Sequence, residues 1–405
     1  MILPTAMSTE VGDELDDLAA RGLLRGLRAL PAVGGRFRWD GREYLNFSSN
    51  DYLNLSNDPR IKEAAREGLE HWGCGATASR LMAGHLELHE ELEESLAEWV
   101  GQPSALVFGS GYLTNLGVLT ALAGGRDDAI FSDKLNHASI VDAAQLARAA
   151  VHRYRHKDLD HLERLLEKNP ARGRRVIVTD SVFSMDGDIA PLAELDHLAG
   201  THDALLVVDE AHAIGVLGRD GGGACRLPAI DIRPAVTVGT LGKSLGCYGG
   251  FAACSHELRD LLINRARGFI YSTALPPACV AGALRGVEIL GEHPELGEQL
   301  LRKSARLRSA LSEQGFDLLD SACQIVPVII GEAETACRVS SDLFELGVIA
   351  TAVRPPTVPP GASRLRLSVT LAHEDNDLER AAAWIGREVR KQSVMGAPRS
   401  KSSDG

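Results

Sequence analysis

Residues 205–212 read Leu-Leu-Val-Val-Asp-Glu-Ala-His, a short apolar run that ends in two acids and a histidine. An uninterrupted apolar run of strand length is typical of a β-strand that is buried on both faces. Such a strand presents Asp209 at its carboxyl end, with His212 one helical turn further on. A second short run, 236–238, leads into Thr-Leu-Gly-Lys-Ser at 240–244, which presents Lys243 in a glycine-flanked turn. These two stretches hold the densest group of chemically active residues in the chain.

Similar short apolar runs alternate with helical patterns through the middle of the sequence. The predicted strands are 105–108, 129–131, 176–179, 205–208, 236–238 and 251–253. The predicted helices between them are 112–122, 137–149, 159–168 and 192–199. This order predicts an α/β fold with a mainly parallel sheet covered by helices. In such sheets the ligand lies outside the carboxyl ends of the strands.

The pattern changes after Pro276–Pro277, where longer amphipathic helices and fewer strands follow. We expect an N-terminal helix and strand segment over 1–50, with the helix at about 11–30. A large domain would span 51–285 and a smaller C-terminal α+β domain 286–393. A disordered tail, rich in Ser, Gly and Lys, is expected over 394–405. The predicted elements of the C-terminal part are helices at 278–290, 294–313 and 374–391, and strands at 324–330, 348–352 and 364–369.

Composition excludes several classes of function. The 405 residues include 43 Lys and Arg against 55 Asp and Glu, a net charge of −12, which disfavours nucleic acid as a partner. Seven scattered cysteines without a CxxC pair indicate reduced thiols and no metal site. Neither a signal peptide nor an apolar run of membrane-spanning length is apparent, so a cytoplasmic enzyme is expected.

Three interpretations compete for the 205–244 region. A P-loop ATPase would use 205–210 as Walker B and 241–244 as the end of Walker A, but Thr237 stands where Walker A needs glycine. The string 209–212 also spells the Asp-Glu-Ala-His of a helicase, yet no upstream phosphate loop or basic channel accompanies it. A pyridoxal-phosphate enzyme needs a lysine, an acid for the pyridine nitrogen and phosphate donors at a helix start. Lys243, Asp209 and the turn 109–112 supply them, so this interpretation is favoured.

Further strings make the third interpretation specific. They lie at 44–53 (Tyr-Leu-Asn-Phe-Ser-Ser-Asn-Asp-Tyr-Leu), 135–139, 182–192, 208–212, 240–243, 270–273, 354–359 and 364–368. In this order, over about 25–375, they resemble the α-oxoamine synthase family of fold-type I pyridoxal-phosphate enzymes. The resemblance implies a homodimer with shared active sites that condenses an amino acid with an acyl-CoA and releases carbon dioxide. The strings 183–192 and 354–359 favour the member of the family that acts in biotin synthesis, for which L-alanine and pimeloyl-CoA are expected, over the member that uses glycine and acetyl-CoA; the strings leave the length of the acyl chain open.

The resemblance also assigns roles around the cofactor. Lys243 is similar to the Schiff-base lysine and Asp209 to the partner of the pyridine nitrogen. His212 is similar to the histidine that hydrogen-bonds the ring oxygen, His137 to the one stacked on the ring, and Ser184 to a serine near that oxygen. Each also has a plain structural interpretation: a loop lysine, a helix cap, a core histidine or a turn residue.

The remaining roles concern the phosphate and the substrates. The phosphate-side contacts implied by the family are Gly111, Tyr112 and Thr240, with Ser272 and Thr273 reaching the cofactor of the neighbouring subunit. Arg366 resembles the arginine that holds the amino-acid carboxylate, and Arg364, on the same strand face, is the alternative. Arg25 and Thr357 are matched to the acyl substrate.

Overall fold

The computed structural model describes residues 5–395, and its elements alternate as the sequence predicts. The strands are β1 (Arg36–Trp39), β2 (Arg42–Asn46), β3 (Ser104–Phe108), β4 (Ala129–Asp133), β5 (Ala150–Tyr154), β6 (Arg175–Asp180), β7 (Ala204–Asp209), β8 (Val236–Thr240), β9 (Gly250–Cys254), β10 (Ile325–Gly331), β11 (Val348–Ile349), β12 (Thr351–Val353) and β13 (Ser363–Ser368). The helices are α1 (Thr5–Ala20), α2 (Pro59–Trp72), α3 (Glu87–Val100), α4 (Gly111–Leu122), α5 (Ala138–Leu146), α6 (Leu159–Lys168), α7 (Leu192–Thr201), α8 (His256–Arg265), α9 (Arg267–Ile270), α10 (Pro277–Glu292), α11 (Leu296–Ser312), α12 (Ala333–Glu345) and α13 (Asp375–Met395).

A seven-stranded sheet forms the centre of the protein, in the order β3-β9-β8-β7-β6-β4-β5. Strand β9 runs opposite in direction to the other six strands, which are parallel to one another, so the prediction of a mainly parallel sheet is confirmed. Each predicted strand of the middle region is present. The edge strand β5 was not predicted, because its Ala-Val-His-Arg-Tyr sequence is largely exposed and has no apolar run. The helix predicted over 137–149 consequently ends earlier, at Leu146.

Both faces of the sheet are covered, which explains the uninterrupted apolar strands. In β7, Leu206 and Val208 belong to one buried cluster, whereas Val207 belongs to the cluster on the opposite face. Alternate side chains of a strand point to opposite faces, so a strand covered on both sides must be apolar at every position. The polar end of β7 stays buried, since Asp209 and Glu210 are 5% and 0% exposed, so these two acids lie inside the protein at the edge of the sheet.

The C-terminal part forms smaller sheets flanked by α11, α12 and α13. Strands β10, β13 and β12 make one antiparallel sheet, and β1, β2 and β11 make another. The single strand predicted over 348–352 is wrong, because β11 pairs with β2 while β12 pairs with β13. The N-terminal strand segment thus pairs with the C-terminal part of the chain, and not with the large sheet.

The two ends of the chain depart from their predicted boundaries. Helix α1 ends at Ala20, and not near residue 30, because Gly22 adopts a left-handed conformation (φ 65°). Leu23 N then donates to Leu18 O at 2.7 Å, which closes the end of the helix. Helix α13 continues to Met395, so 394–395 are helical and not tail; 396–405 lie outside the described residues. None of the helices within 5–395 has the length and apolarity needed to cross a membrane.

A buried ionic cluster fastens helix α3 to the edge of the large sheet. Glu93 is only 3% exposed, and its Oε1 accepts hydrogen bonds from Arg80 Nη1 at 2.9 Å and from Val107 N at 2.8 Å. Its Oε2 accepts from Arg259 Nη2 at 3.2 Å. One carboxylate therefore pairs with two arginines and accepts the backbone N–H of Val107 in β3.

We expect Glu93→Ala to lower the free energy of unfolding by about 3–5 kcal/mol, because Arg80 would remain buried without its counter-charge. Guanidinium denaturation of the purified protein measures this. Glu298→Ala is the matched control, since the Glu298–Arg302 pair is exposed and should contribute little. Equal effects of the two substitutions would contradict this interpretation of the cluster.

Candidate active site

The carboxyl ends of three neighbouring parallel strands converge on one edge of the large sheet. Strand β6 ends at Asp180 and β7 at Asp209, and these two acids are direct partners in the strand register. Strand β8 ends at Thr240, and the turn that follows carries Lys243. That turn leads into strand β9, and not into a helix as a phosphate-binding P-loop would, so the ATPase interpretation fails.

Lys243 and His212 form the centre of the site. Lys243 Nζ lies 2.9 Å from His212 Nε2, and His212 Nδ1 lies 2.7 Å from the hydroxyl of Tyr52. Burial lowers the pKa of Lys243 to about 8, although the charge of Asp209 acts in the opposite direction. Burial, aided by the charge of Lys243, also holds the pKa of His212 well below its usual value. At neutral pH the imidazole is therefore uncharged, and its Nε2 can accept a hydrogen bond from the lysine amine.

The hydrogen bonds around His212 define a directed chain. When Lys243 Nζ donates to Nε2, the ring hydrogen resides on Nδ1 and is donated to Tyr52. The hydroxyl of Tyr52 in turn donates to Asn50 Oδ1 at 3.2 Å. The amine is thus held at the start of a chain of neutral groups that leads away from the sheet.

Asp209 is held by helix α4, which follows the turn at 109–112. Its Oδ2 accepts from Asn115 Nδ2 at 2.7 Å, and its Oδ1 accepts from the backbone of Ala211 at 2.9 Å. Asn115 lies on α4 and also donates to Ser139 Oγ at 2.9 Å. The carboxylate is 5% exposed, so its orientation is fixed within the protein interior.

His137 is held in place by Asp180. It caps helix α5, and its backbone N–H donates to Asp180 Oδ2 at 2.7 Å. The ring Nδ1 lies 2.8 Å from Ser139 Oγ, which fixes the plane of the imidazole. Burial lowers the pKa of His137, against the opposing effect of Asp209, so the ring is neutral and suited to lie flat against an aromatic cofactor.

The N-terminus of helix α4 offers donors for an anion. Ser110 caps the helix by accepting from Leu113 N at 3.2 Å. The N–H groups of Gly111 and Tyr112 have no hydrogen-bond partner within residues 5–395. A Cβ on Gly111 would lie 3.5 Å from Thr240, so the helix start and the end of β8 are adjacent. This arrangement is typical of a phosphate-binding site.

Arg366 belongs to the same cluster, whereas Arg364 does not. Arg366 donates from Nε to the carbonyl of Ser184 at 2.6 Å and from Nη1 to Asn50 Oδ1 at 3.1 Å. Arg364 is instead paired with Asp186. The structure therefore distinguishes two arginines that the sequence leaves as alternatives. Ser184 meets Arg366 through its carbonyl.

The other predicted site residues lie outside this hydrogen-bonded cluster. Arg25 and Thr357 line a cavity of about 720 Å³, which Met185 also lines. Ser272 and Thr273 lie between α9 and α10, and Thr273 forms a β-bridge with Ser79. Tyr112 is 43% exposed, and its hydroxyl donates to Asp142.

Several residues of the site were not predicted. Asp180 ends a predicted strand just as Asp209 does, so the rule that found Asp209 could have found it. Asn50 and Tyr52 lie within the quoted string 44–53, but nothing in that string indicates contact with a residue so far along the chain. Asn115 is a single amide in an apolar helix and gives no signal in the sequence.

The residues present fit pyridoxal phosphate. The amine of Lys243 can react with the aldehyde of the cofactor, and the buried carboxylate of Asp209 can pair with its ring nitrogen. The neutral imidazole of His137 can lie against the ring face, and the free N–H groups at the start of α4 can bind the phosphate. The fold and the site together define a pyridoxal-phosphate-dependent enzyme of fold type I.

Comparisons with known proteins agree with this class of enzyme. The family described as aminotransferase class I and II matches residues 42–385. The 8-amino-7-oxononanoate synthase of Citrifermentans bemidjiense is 47% identical over 386 residues, which cover 95% of this chain and 99% of the relative. The synthase of Geobacter sulfurreducens is 47% identical over 96% of this chain and 100% of its own.

Solved structures give the same result. A serine palmitoyltransferase of S. paucimobilis superposes with a TM-score of 0.90 at 29% identity, covering 97% of this chain and 100% of its own. An 8-amino-7-oxononanoate synthase of Francisella tularensis superposes with a TM-score of 0.73 at 29% identity, covering 86% of this chain and 99% of its own. The chain belongs to the aminotransferase class I and II family, in the α-oxoamine synthase branch that contains the 8-amino-7-oxononanoate synthases. The predicted family and fold class are confirmed.

The lowered pKa of Lys243 has a measurable consequence. We expect the apo-protein to take up pyridoxal phosphate at a rate that rises with pH and levels off once the pH has passed about 8, because only the neutral amine attacks an aldehyde. Stopped-flow absorbance measures this rate. Since the charge of Asp209 raises the pKa of Lys243, Asp209→Asn should move the plateau to lower pH. A rate still rising beyond about pH 10, as for an ordinary lysine, would contradict the assignment.

Proposed function

We propose that the protein condenses L-alanine with pimeloyl-CoA to give 8-amino-7-oxononanoate, coenzyme A and carbon dioxide, a step of biotin synthesis. The relatives that are 47% identical over nearly the whole chain carry the name of this synthase. The observation that carries the proposal is the juxtaposition of Lys243, His212 and Arg366 at the edge of the large sheet, beside a cavity large enough for an acyl chain.

Pyridoxal phosphate, when bound, supplies an electron-poor ring that takes up the negative charge formed at the amino-acid Cα. Asp209 would hold the proton on the ring nitrogen and His212 would bond the ring oxygen, with Ser184 nearby. His137 would cover one ring face. The phosphate would be bound by Gly111, Tyr112 and Thr240, and by Ser272 and Thr273 of the neighbouring copy.

Lys243 is the residue placed to move protons. Its Nζ is buried, and with a pKa of about 8 a substantial share of the amine is neutral at cytoplasmic pH. A neutral amine with a pKa near the working pH is an efficient general base for the Cα proton, and the ammonium formed can return a proton to the product. In the structure His212 Nε2 lies 2.9 Å from this amine, so the lysine and the group proposed to bond the ring oxygen are adjacent.

Arg366 is suited to hold the amino-acid carboxylate. Its guanidinium is fixed by Ser184 O, Asn50 Oδ1 and Ser368 Oγ, and Nη2 also reaches the hydroxyl of Tyr52 at 3.4 Å. A guanidinium carries five N–H donors, so one on Nη2 has no partner within residues 5–395 and is available to a carboxylate. Holding the carboxylate there orients the Cα substituents relative to Lys243.

The cavity of about 720 Å³ supports a long acyl chain that ends in a charge. Met185, Phe344 and Ile349 give it apolar walls, and the guanidinium groups of Arg25 and Arg354 add positive charge. Thr357 lies on the same wall. An acetyl group would leave most of this volume unfilled, whereas a pimeloyl chain has apolar methylenes and a distal carboxylate that match both kinds of lining.

We also propose a homodimer with shared sites, in the cytoplasm. Three apolar side chains next to the Thr273–Ser79 bridge are exposed: Leu81 by 51%, Met82 by 81% and Tyr271 by 70%. Exposed apolar patches of this kind are typical of subunit interfaces. All seven cysteines are free thiols, which agrees with a reducing compartment.

Complementation between two inactive variants tests the shared sites. Lys243→Ala lacks the amine, and Ser272→Ala combined with Thr273→Ala lacks the contacts proposed to cross the interface. Random mixing makes half of the dimers mixed, and each mixed dimer has one intact site of two, so about a quarter of the parent activity should return. Activity that stays at the sum of the separate variants would contradict site sharing.

Substrate selection tests the reaction itself. The purified holoenzyme is incubated with L-alanine or glycine and with pimeloyl-CoA or acetyl-CoA, and free coenzyme A is measured. We expect release with L-alanine and pimeloyl-CoA, and none from Lys243→Ala under the same conditions. Preference for glycine and acetyl-CoA would overturn the proposed substrates in favour of a 2-amino-3-ketobutyrate CoA ligase reaction.

A further inference from the structure

A second ionic cluster, outside the cofactor site, lies beside the hairpin that carries Ser184. His156 follows the edge strand β5, and its two ring nitrogens each face a carboxylate. Nδ1 lies 3.1 Å from Asp133 Oδ1, and Nε2 lies 3.0 Å from Asp188 Oδ2. Asp133 ends strand β4, and Asp188 lies in the 182–189 hairpin. The ring therefore bridges the large sheet and the hairpin.

The contacts require both ring nitrogens to be donors. Burial by itself lowers the pKa of His156, but the hydrogen bonds to Asp133 and Asp188 outweigh it and raise the pKa to about 9. Lys157 adds a second cation, with Nζ 2.7 Å from Asp188 Oδ2. Because the carboxylates of Asp133 and Asp188 are 1% and 5% exposed, these ion pairs are shielded from water.

The hairpin is held on its other side by the arginines of β13. Ser184 O accepts from Arg366 Nε at 2.6 Å, and Asp186 pairs with Arg364. Within the hairpin, Phe183 N donates to Asp188 O at 3.0 Å. A displacement of Asp188 is therefore transmitted over a few bonds to the carbonyl that orients Arg366.

We propose that His156 is a positioning residue for the amino-acid substrate: it clamps the 182–189 hairpin to the large sheet and thereby fixes Arg366. This inference rests on the proposed function of Arg366 as the carboxylate-binding group. The rings of His156 and Phe183 are also perpendicular, with centroids 4.4 Å apart, so the clamp restrains the hairpin through packing as well as charge. Of the residues proposed to contact the cofactor, only Ser184 lies on this hairpin. Lys243 and Asp209 have no contact with His156, so we expect the cofactor to stay bound when the clamp is lost.

The test compares holoenzyme variants His156→Gln, Asp188→Asn and the double variant. The dissociation constant for L-alanine is read from the absorbance change of the bound cofactor, and cofactor content and thermal midpoint are measured alongside. Each single variant should weaken L-alanine binding about tenfold with full cofactor content, as expected for a misplaced carboxylate grip. The double variant should lose no more than the singles, because both remove one clamp.

His152→Gln is the matched control. It lies on the same edge strand, and its ring stacks on Phe131 with centroids 5.1 Å apart, without an ion pair within the described part of the chain. It should change the thermal midpoint without changing L-alanine binding.

Two results would overturn the clamp. The first is a dissociation constant for L-alanine within about twofold of the parent in both single variants, which would make the cluster merely structural. The second is a double variant whose loss of L-alanine affinity equals the product of the two single losses, which would mean that the two residues act independently. If His156→Gln does not fold, the isosteric Asp188→Asn carries the test alone. If the parent binds glycine and not L-alanine, the proposed substrate fails, but the clamp is still tested with glycine, which presents the same carboxylate to Arg366.

Discussion

The burial of one amine at the carboxyl edge of a parallel sheet is the constraint on which the site depends. Lys243 loses solvation, which lowers its pKa, and the charge of Asp209 limits that decrease. The result is an amine with a pKa of about 8, neutral often enough to act as a base and charged often enough to act as an acid. A buried amine also needs a hydrogen-bond partner, and His212 Nε2 is that partner in the structure.

The sheet topology explains why the residues around Lys243 come from distant segments of the chain. Parallel strands bring their carboxyl ends to a common edge, so Asp180, Asp209 and Lys243 meet although they lie on three different strands or turns. The remaining polar groups come from outside the large sheet. Asn50 and Tyr52 follow β2, and Arg366, which lies on β13, contacts both of them. The hairpin at 182–189 contacts Arg366 through Ser184 O.

Much of this organisation is encoded locally and was predictable. The apolar run at 205–208 predicts a doubly covered strand, and its acidic end predicts the position of Asp209. What sequence patterns lack is pairing information between distant segments. The contact between Arg366 and Ser184 joins residues 182 positions apart, and the division of 348–352 between two sheets depends on partners far along the chain. Strand β5 was missed because an exposed edge strand carries no apolar signal.

The helix α1 boundary was missed for a different reason. Its apolar pattern continues beyond Ala20, but the left-handed conformation of Gly22 ends the helix through a local backbone contact. The clamp at His156 was also not predicted, since its partners Asp133 and Asp188 are separated from it in sequence and meet only when β4, β5 and the hairpin are assembled.

The most direct test of this account is to find which lysine carries the cofactor. The holoenzyme is reduced with borohydride, digested, and its pyridoxyl-labelled peptide identified by mass spectrometry. The account predicts a single labelled peptide that contains Lys243, at about one equivalent per chain. A label on any other lysine, or a protein that takes up no pyridoxal phosphate, would contradict it.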